Sequence, residues 1–370
     1  MMDTFIEVFG IPTQVKESAH GRVNLIGEHT DYNGGFVLPT CIPQASTVSL
    51  HRRPDNLVRL ADNNLRIPEA DPIYIYELGE ESLSRHWSDY IQGVTWLLRK
   101  EGYDIGGFDC LIDSKVPMGS GLSSSAALEV SLLKGLNKLF DLKMDGVTIA
   151  KLGQRVENDF VGARIGIMDQ MVASLGRMGE ALFIDTKDLT FQHLPLPLSE
   201  MELLVISSGV THSNSQGSYN LRRSECEQAC EALGVAQLRD LDVSDLPKLE
   251  VLSEVLRRRA RHVITENDRV LQAVKALKEK QFKKLGDLFN SSHQSMRDDY
   301  QVSIPEIDLL VSLANDQKEV LGARLTGGGF GGSIVALCKP GTSAQVGKII
   351  SEQYDKKTGL RAYVLVPPSP

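Results

Sequence analysis

Behind Ala126, the residues Leu128, Leu132, Leu136 and Phe140 recur at every fourth position, a spacing that predicts a helix over 126–140. Just upstream, the largely apolar stretch from Phe108 to Val116 predicts a strand that feeds a glycine-serine loop. Nearer the start, Phe36-Val37-Leu38, stopped by Pro39, and the alternation Thr47-Val48-Ser49-Leu50 predict two more strands. A second helix is expected from about Val147 to Phe160, ended by Gly162, and a short third one covers Met171 to Leu175. After the turn Leu194-Pro195-Leu196-Pro197, the run Leu203-Leu204-Val205-Ile206-Ser207 predicts the strand that opens a second half. Charged amphipathic helices then continue to about Ala314. A glycine-rich turn follows, flanked by the apolar segments Ala323-Arg324-Leu325 and Ile334-Val335-Ala336-Leu337. No internal repeat or low-complexity linker breaks this pattern. A chain of 370 residues exceeds one typical core, so two domains are expected, 1–197 and 198–370, with the last strand free to return to the first.

Composition narrows the function classes. Hydrophobic residues at 42% and charged residues at 24% describe a globular protein. No apolar run reaches bilayer length, and the start Met1-Met2-Asp3-Thr4-Phe5 lacks a basic region with a long apolar core, so a cytoplasmic protein without membrane partners is expected. A net charge of -8 argues against general nucleic-acid binding, which depends on neutralising phosphates. Arg257-Arg258-Arg259-Ala260-Arg261 is the contrary sign, and its helical context reads as a solvated face. Five scattered cysteines fit reduced thiols, and Cys226 and Cys230, at i and i+4, read as helix packing residues.

Three segments carry the candidate chemistry. Gly21-Arg22-Val23-Asn24-Leu25-Ile26-Gly27-Glu28-His29-Thr30-Asp31-Tyr32 sets a cation, two carboxylates and an imidazole between glycines. That density of hydrogen-bonding groups suits a small polyhydroxylated ligand, although a polar surface turn would look the same. Pro117-Met118-Gly119-Ser120-Gly121-Leu122-Ser123-Ser124-Ser125-Ala126 lies between a strand and a helix, where freed amides and the positive helix end attract phosphate. It lacks the lysine of a Walker loop, and a plain helix cap is the alternative. In Thr326-Gly327-Gly328-Gly329-Phe330-Gly331-Gly332, five of seven residues are glycine. Gly327, Gly329 and Gly332 satisfy G-x-G-x-x-G, but the following Ser333 to Leu337 reads as a strand where a dinucleotide fold needs a helix.

Together these segments resemble the GHMP small-molecule kinases, and within them the galactokinase branch. The first matches the signature G-R-V-N-L-I-G-E-H-T-D-Y-N-G-G without a gap, the second the ATP loop, and the third the C-terminal glycine motif. Gly166-Ile167-Met168-Asp169-Gln170, Trp87-Ser88-Asp89-Tyr90, Thr211-His212-Ser213 and Tyr219-Asn220-Leu221-Arg222-Arg223 match as well. Two departures are His20, where a proline usually precedes Gly21, and Asn214-Ser215-Gln216-Gly217 in place of a leucine-alanine-aspartate insert.

The resemblance implies a two-domain α+β fold: an N-terminal S5-domain-2-like α/β domain, a C-terminal ferredoxin-like domain, and the active site in the cleft between them. It implies ATP-dependent phosphorylation of the anomeric hydroxyl of D-galactose, with Mg²⁺, by a chain expected to be monomeric. Asp169 would be the general base and Arg22 its cationic partner; a carboxylate at that helix start could also be a cap. Ser125 and Glu157 would bind Mg²⁺, with a solvated helix carboxylate as the alternative for Glu157, and Gly119, Ser120, Gly121, Leu122, Ser123, Ser124 and Ser125 would bind the ATP phosphates. Trp87 would stack on adenine, with plain packing as the alternative. Arg22, Glu28, His29, Thr30, Asp31, Gly166, Asp169 and Tyr219 would meet the sugar. A related amino sugar or uronate as substrate, or a non-catalytic galactose and ATP sensor, remain the alternatives; the intact Ser125-Ala126 pair favours catalysis.

Overall fold

The strand Pro39–Arg52 has every second side chain of its later half inward, so Val48 and Leu50 are buried while Thr47 and Ser49 are only partly covered. It pairs antiparallel with Phe108–Ser114, from Ser46 opposite Ser114 to Arg52 opposite Phe108. Phe108–Ser114 in turn pairs parallel with Leu57–Asp62, which pairs antiparallel with Tyr74–Glu77. A parallel neighbour requires a crossover, and the helix Asp89–Lys100 lies within the connection. The computed structural model describes residues 4–64, 73–210 and 215–367, leaving aside the side chains of 215 and 216. Thr211-His212-Ser213 and Asn214 therefore lie outside the described residues.

The chain forms two compact units that interleave in sequence. The first comprises Met1–Gly21, Gln44–Pro117 and Ser123–Leu175; the second comprises Arg22–Pro43, Met118–Leu122 and Gly176–Pro370. Segments 22–43 and 176–197, placed by sequence in an N-terminal domain of 1–197, thus group with the C-terminal half. Strand pairing explains this: Phe36–Val37 pairs with Glu180–Asp185, Thr40 lies opposite Ala181, and Glu180–Asp185 pairs with Thr190–Pro195.

In the first unit, the helices Asp89–Lys100, Ser124–Leu139, Gly146–Arg155 and Met168–Leu175 supply one core with the sheet, including Val48, Leu60, Leu97, Leu132, Leu136 and Leu152. The expected helix over 147–160 is Gly146–Arg155 followed by a π-helical turn, Val156–Val161, closed by Gly162 at φ +86°. The wider turn inserts one residue and brings Glu157 into the interior.

The second unit holds a four-stranded antiparallel sheet in the order Val320–Thr326, Ser333–Cys338, Glu202–Ser207, Tyr363–Val366. The last strand stays in this sheet, beside Glu202–Ser207, and does not return to the first unit. The helices Glu254–Lys278, Pro305–Asn315 and Ser343–Thr358 contribute Val263, Leu310 and Ile350 to its core. The arginine run lies on Glu254–Lys278 but is not simply solvated. Arg259 is buried and donates to Glu225 at 2.7 Å, and Arg257, Arg258 and Arg261 bond Glu250, Asp298 and Asp299. Cys226 and Cys230 face the core as expected.

Candidate active site

In the first unit, the helix that follows the glycine-serine loop begins at Ser124, with Ser123 in the N-cap position at φ +59°. A non-glycine residue in that left-handed region is strained, and its hydroxyl does not cap the helix. It donates instead to Asp169 Oδ2. Asp169 is the second residue of the helix Met168–Leu175, so it is not an N-cap, and Gly166 lies in the approach to that helix. Two residues beyond Ser123, Ser125 Oγ donates to Glu157 Oε1 at 2.9 Å. Burial pushes the Glu157 carboxyl up to about 7, with the Asp169 charge adding to the rise and the Ser125 hydroxyl opposing it.

Two further residues belong to this cluster. The Gln170 amide donates to Glu157 Oε1 at 3.3 Å and to Glu129 Oε2 at 3.5 Å. Burial raises the Glu129 carboxyl well above its ordinary range, and the Glu157 charge raises it further. Sequence reasoning passed over both. Glu129 had one signal, its i+4 position from Ser125 on a helix whose buried face is otherwise mostly apolar. Trp87 is half-buried against the core, its ring 5.5 Å from that of His86.

In the second unit, Arg22 is buried, and its Nη1 donates to Gly121 O at 2.5 Å while its backbone amide donates to Leu122 O at 3.1 Å. The sugar-type segment is thereby tied to the Gly119–Leu122 part of the loop, whose Ser120 carbonyl accepts from Ser333 Oγ at 2.7 Å. The glycine-rich turn joins antiparallel strands, with Thr326 opposite Ser333, as the sequence pattern required. A Cβ at Gly329, which lies at φ +80°, would fall 2.4 Å from Val302 O, so this position needs glycine.

Glu28 is nearly inaccessible and holds that turn. Its Oε1 accepts from the Gly327 amide at 2.8 Å, and its Oε2 accepts from Asn24 Nδ2 at 2.7 Å. Burial raises its carboxyl against the opposing charges of Arg324 and Arg22. Arg324 is fully buried, 3.5 Å from Glu28, and donates to the Asn24 and Leu25 carbonyls at 3.0 and 2.9 Å. His29 sits in the left-handed region at φ +62°, and burial lowers its imidazole to about 3. The Thr30 hydroxyl lies within bonding distance of the Gly27 and Phe36 carbonyls, an inward role that braces the loop. Asp31 Oδ1 accepts from the Tyr32 amide at 2.9 Å, and the Tyr219 ring lies 5.3 Å from the His29 ring.

Residues 89–177 match the family model of the GHMP kinases N terminal domain, 273–356 the GHMP kinases C terminal model, and 3–52 the galactokinase galactose-binding signature. The chain is 42% identical to a galactokinase of Streptomyces coelicolor over 97% of its length and 93% of the relative's. It belongs to the galactokinase family. A galactokinase of Thermotoga petrophila is 40% identical, covering 94% of this chain and 95% of that one. A crystal structure of Lactococcus lactis galactokinase complexed with galactose shares 35% identity and a TM-score of 0.92, covering 98% of this chain and 95% of that chain. The GHMP kinase fold is thus established, and the galactokinase signature spans Arg22, Glu28, His29, Thr30 and Asp31 of this family member.

Proposed function

We propose that this chain transfers the γ-phosphoryl group of ATP to the anomeric hydroxyl of D-galactose, releasing α-D-galactose 1-phosphate and ADP. The observation that carries the reading is a double link at one helix end: Ser123 to Asp169 and Ser125 to Glu157. It sets a carboxylate suited to proton acceptance and an oxygen pair suited to a hard cation where a phosphate-binding helix begins.

In this reading Asp169 accepts the proton of the anomeric hydroxyl as its oxygen bonds to the γ-phosphorus and the bond to the ADP oxygen breaks. Arg22, whose guanidinium bonds the Gly121 carbonyl, supplies positive charge against the developing negative charge. Gly119, Ser120, Gly121, Leu122, Ser123 and Ser124 hold phosphate oxygens, and Trp87 supplies an apolar face for the base. Glu28, His29, Thr30, Asp31 and Tyr219 of the second unit, and Gly166 and Asp169 of the first, are the residues assigned to the sugar, Glu28 and Thr30 chiefly as braces of their own loop. Ser125 and Glu157 are two all-oxygen donors, and among the described residues no cluster of three His, Cys, Asp or Glu forms a closed metal cage. That sparse set fits Mg²⁺, which keeps water and phosphate ligands. When bound, the ion neutralises charge on the β and γ phosphates.

With ATP and Mg²⁺, D-galactose is expected to drive ADP release and D-glucose to drive almost none. A pocket paired to the galactose hydroxyl at carbon four leaves polar groups unpaired when that hydroxyl is inverted. A coupled ADP assay over galactose, glucose, galactosamine and galacturonate decides the sugar. Equal turnover of glucose and galactose, or preference for the amino sugar or uronate, removes the galactose assignment.

Proton competition supplies a pH test. The Glu157 carboxyl, raised to about 7 in the metal-free fold, must ionise to bind a cation. The Mg²⁺ concentration for half-maximal activity should therefore be nearly level above pH 7 and climb by up to about tenfold per pH unit below it. Mg²⁺ titrations at pH 6 and pH 8 that coincide would remove Glu157 from the metal site.

A further inference from the structure

His29 has both ring nitrogens engaged. Its Nε2 lies 3.2 Å from Gly328 O, an atom that can only accept, so Nε2 carries a proton. Its Nδ1 lies 2.9 Å from Tyr32 Oη. A neutral imidazole protonated at Nε2 accepts at Nδ1, so the Tyr32 hydroxyl donates to it. Having spent its one proton, Tyr32 Oη must accept from Tyr300 Oη at 2.7 Å. Tyr300 Oη in turn accepts from Cys226 Sγ at 3.1 Å. The direction of every bond in the chain follows from one backbone carbonyl together with the neutral charge state that burial favours for the ring.

We infer that Tyr32, Tyr300 and Cys226 form a single polarised hydrogen-bond chain that holds His29 as its Nε2–H tautomer and thereby clamps the Gly328 peptide of the glycine-rich turn. The three side chains are positioning residues for the sugar segment. This rests on the proposal that the segment from Glu28 to Asp31 meets galactose. His29 then serves the sugar by fixing backbone, its ring nitrogens being committed elsewhere.

Three observations agree. Tyr300 and Cys226 are buried, so water does not compete for their hydrogens. Tyr300 ends the π-helical turn Met296–Tyr300, and its ring stands 4.8 Å from His29 and 4.5 Å from His262. His262 in turn bonds the Glu28 carbonyl through Nε2 at 3.1 Å and Ser295 Oγ through Nδ1 at 2.9 Å. The strained backbone at His29 is therefore gripped from the ring side and, through Glu28, from the preceding peptide.

The test uses the full chain with ¹⁵N-labelled histidine, and the His29 signals are assigned by their loss in His29→Asn. Long-range ¹⁵N–¹H spectra should show His29 with a proton on Nε2 and a hydrogen-bonded, unprotonated Nδ1. Tyr32→Phe should move the Nδ1 signal towards that of an imine nitrogen without a donor. It should raise the galactose KM roughly five- to tenfold, the scale of one lost hydrogen bond, with the ATP KM within about twofold. Tyr300→Phe leaves the Tyr32 donor in place and should shift both readouts less, so a variant set survives if either one folds poorly. A proton on Nδ1 in the parent protein overturns the proposal. So does Tyr32→Phe with the parent's Nδ1 signal and galactose KM. Failure of the parent to turn over galactose would refute the galactose reading, while the spectra would still judge the chain.

Discussion

Asp169→Asn should lower galactose-dependent ADP release by about a hundredfold or more, the scale for losing a positioned proton acceptor. Asparagine keeps the shape and can still bond the Ser123 hydroxyl, which in the parent protein donates to Asp169 Oδ2. Galactose KM should therefore stay within about threefold, because a group that acts in the transition state changes kcat and spares ground-state binding. Ser123→Ala is the companion variant. It removes an orienting hydrogen bond and keeps the base, so its loss should be several-fold smaller. Steady-state kinetics at saturating ATP separates the cases, and a fully active Asp169→Asn protein ends the general-base assignment. Arg22→Lys should also be damaging, because a point charge cannot hold the Gly121 carbonyl and present a planar fork to phosphoryl oxygens at once.

Glu157→Gln should raise the Mg²⁺ requirement by at least one order of magnitude. Outer residues that merely orient a metal ligand already cost about 10- to 100-fold in affinity, and Glu157 is assigned as the ligand itself. The substitution is nearly isosteric. Its amide oxygen can still accept from Ser125, so the fold around the helix start should persist. Ser125→Ala should weaken metal dependence less, since a neutral hydroxyl contributes less than a carboxylate. Binding of Mn²⁺ in the presence of ADP, followed by loss of the free-ion resonance, reads affinity without turnover. Curves that match the parent for both variants would leave Ser125 and Glu157 as a buried structural pair.

The local elements were legible because each rests on short-range periodicity. The strand at 108–114 and the helix beginning at Ser124 were expected within a few residues, and the short apolar run after Gly332 correctly called for a strand, which excluded a dinucleotide fold. Element ends were less legible. Nothing in the pattern around Val156 announces the π-helical turn Val156–Val161 or the burial of Glu157 within it.

The candidate site was half legible. Arg22, Glu28, Ser125 and Asp169 stand out as charged or hydroxyl residues inside the quoted motifs, whereas Glu157 lies outside them, reads alone as a solvated helix carboxylate, and was reached only through the resemblance. Arg324 and Tyr300 sit among ordinary helix and strand residues, where sequence offers no reason to single them out, and Glu129 and Gln170 carried only a helical spacing and a place at the end of a matched motif. Even for Thr30 the residue was visible and its task was not, since the inward turn of its hydroxyl depends on the Gly27 and Phe36 carbonyls.

The sequence by itself determined the elements, the three glycine-bracketed segments and, through them, the family, because propensity, turn chemistry and motif spacing act over a few residues. Only the tertiary structure decided which segments belong together. Residues 22–43 leave their sequence neighbours to join the C-terminal half, Glu28 meets the Gly327 amide, and His29 meets the Gly328 carbonyl. Such partners are about three hundred residues apart along the chain. Their pairing is selected by burial, which makes an unmatched carboxylate, amide or imidazole costly and leaves few arrangements in which each finds its complement.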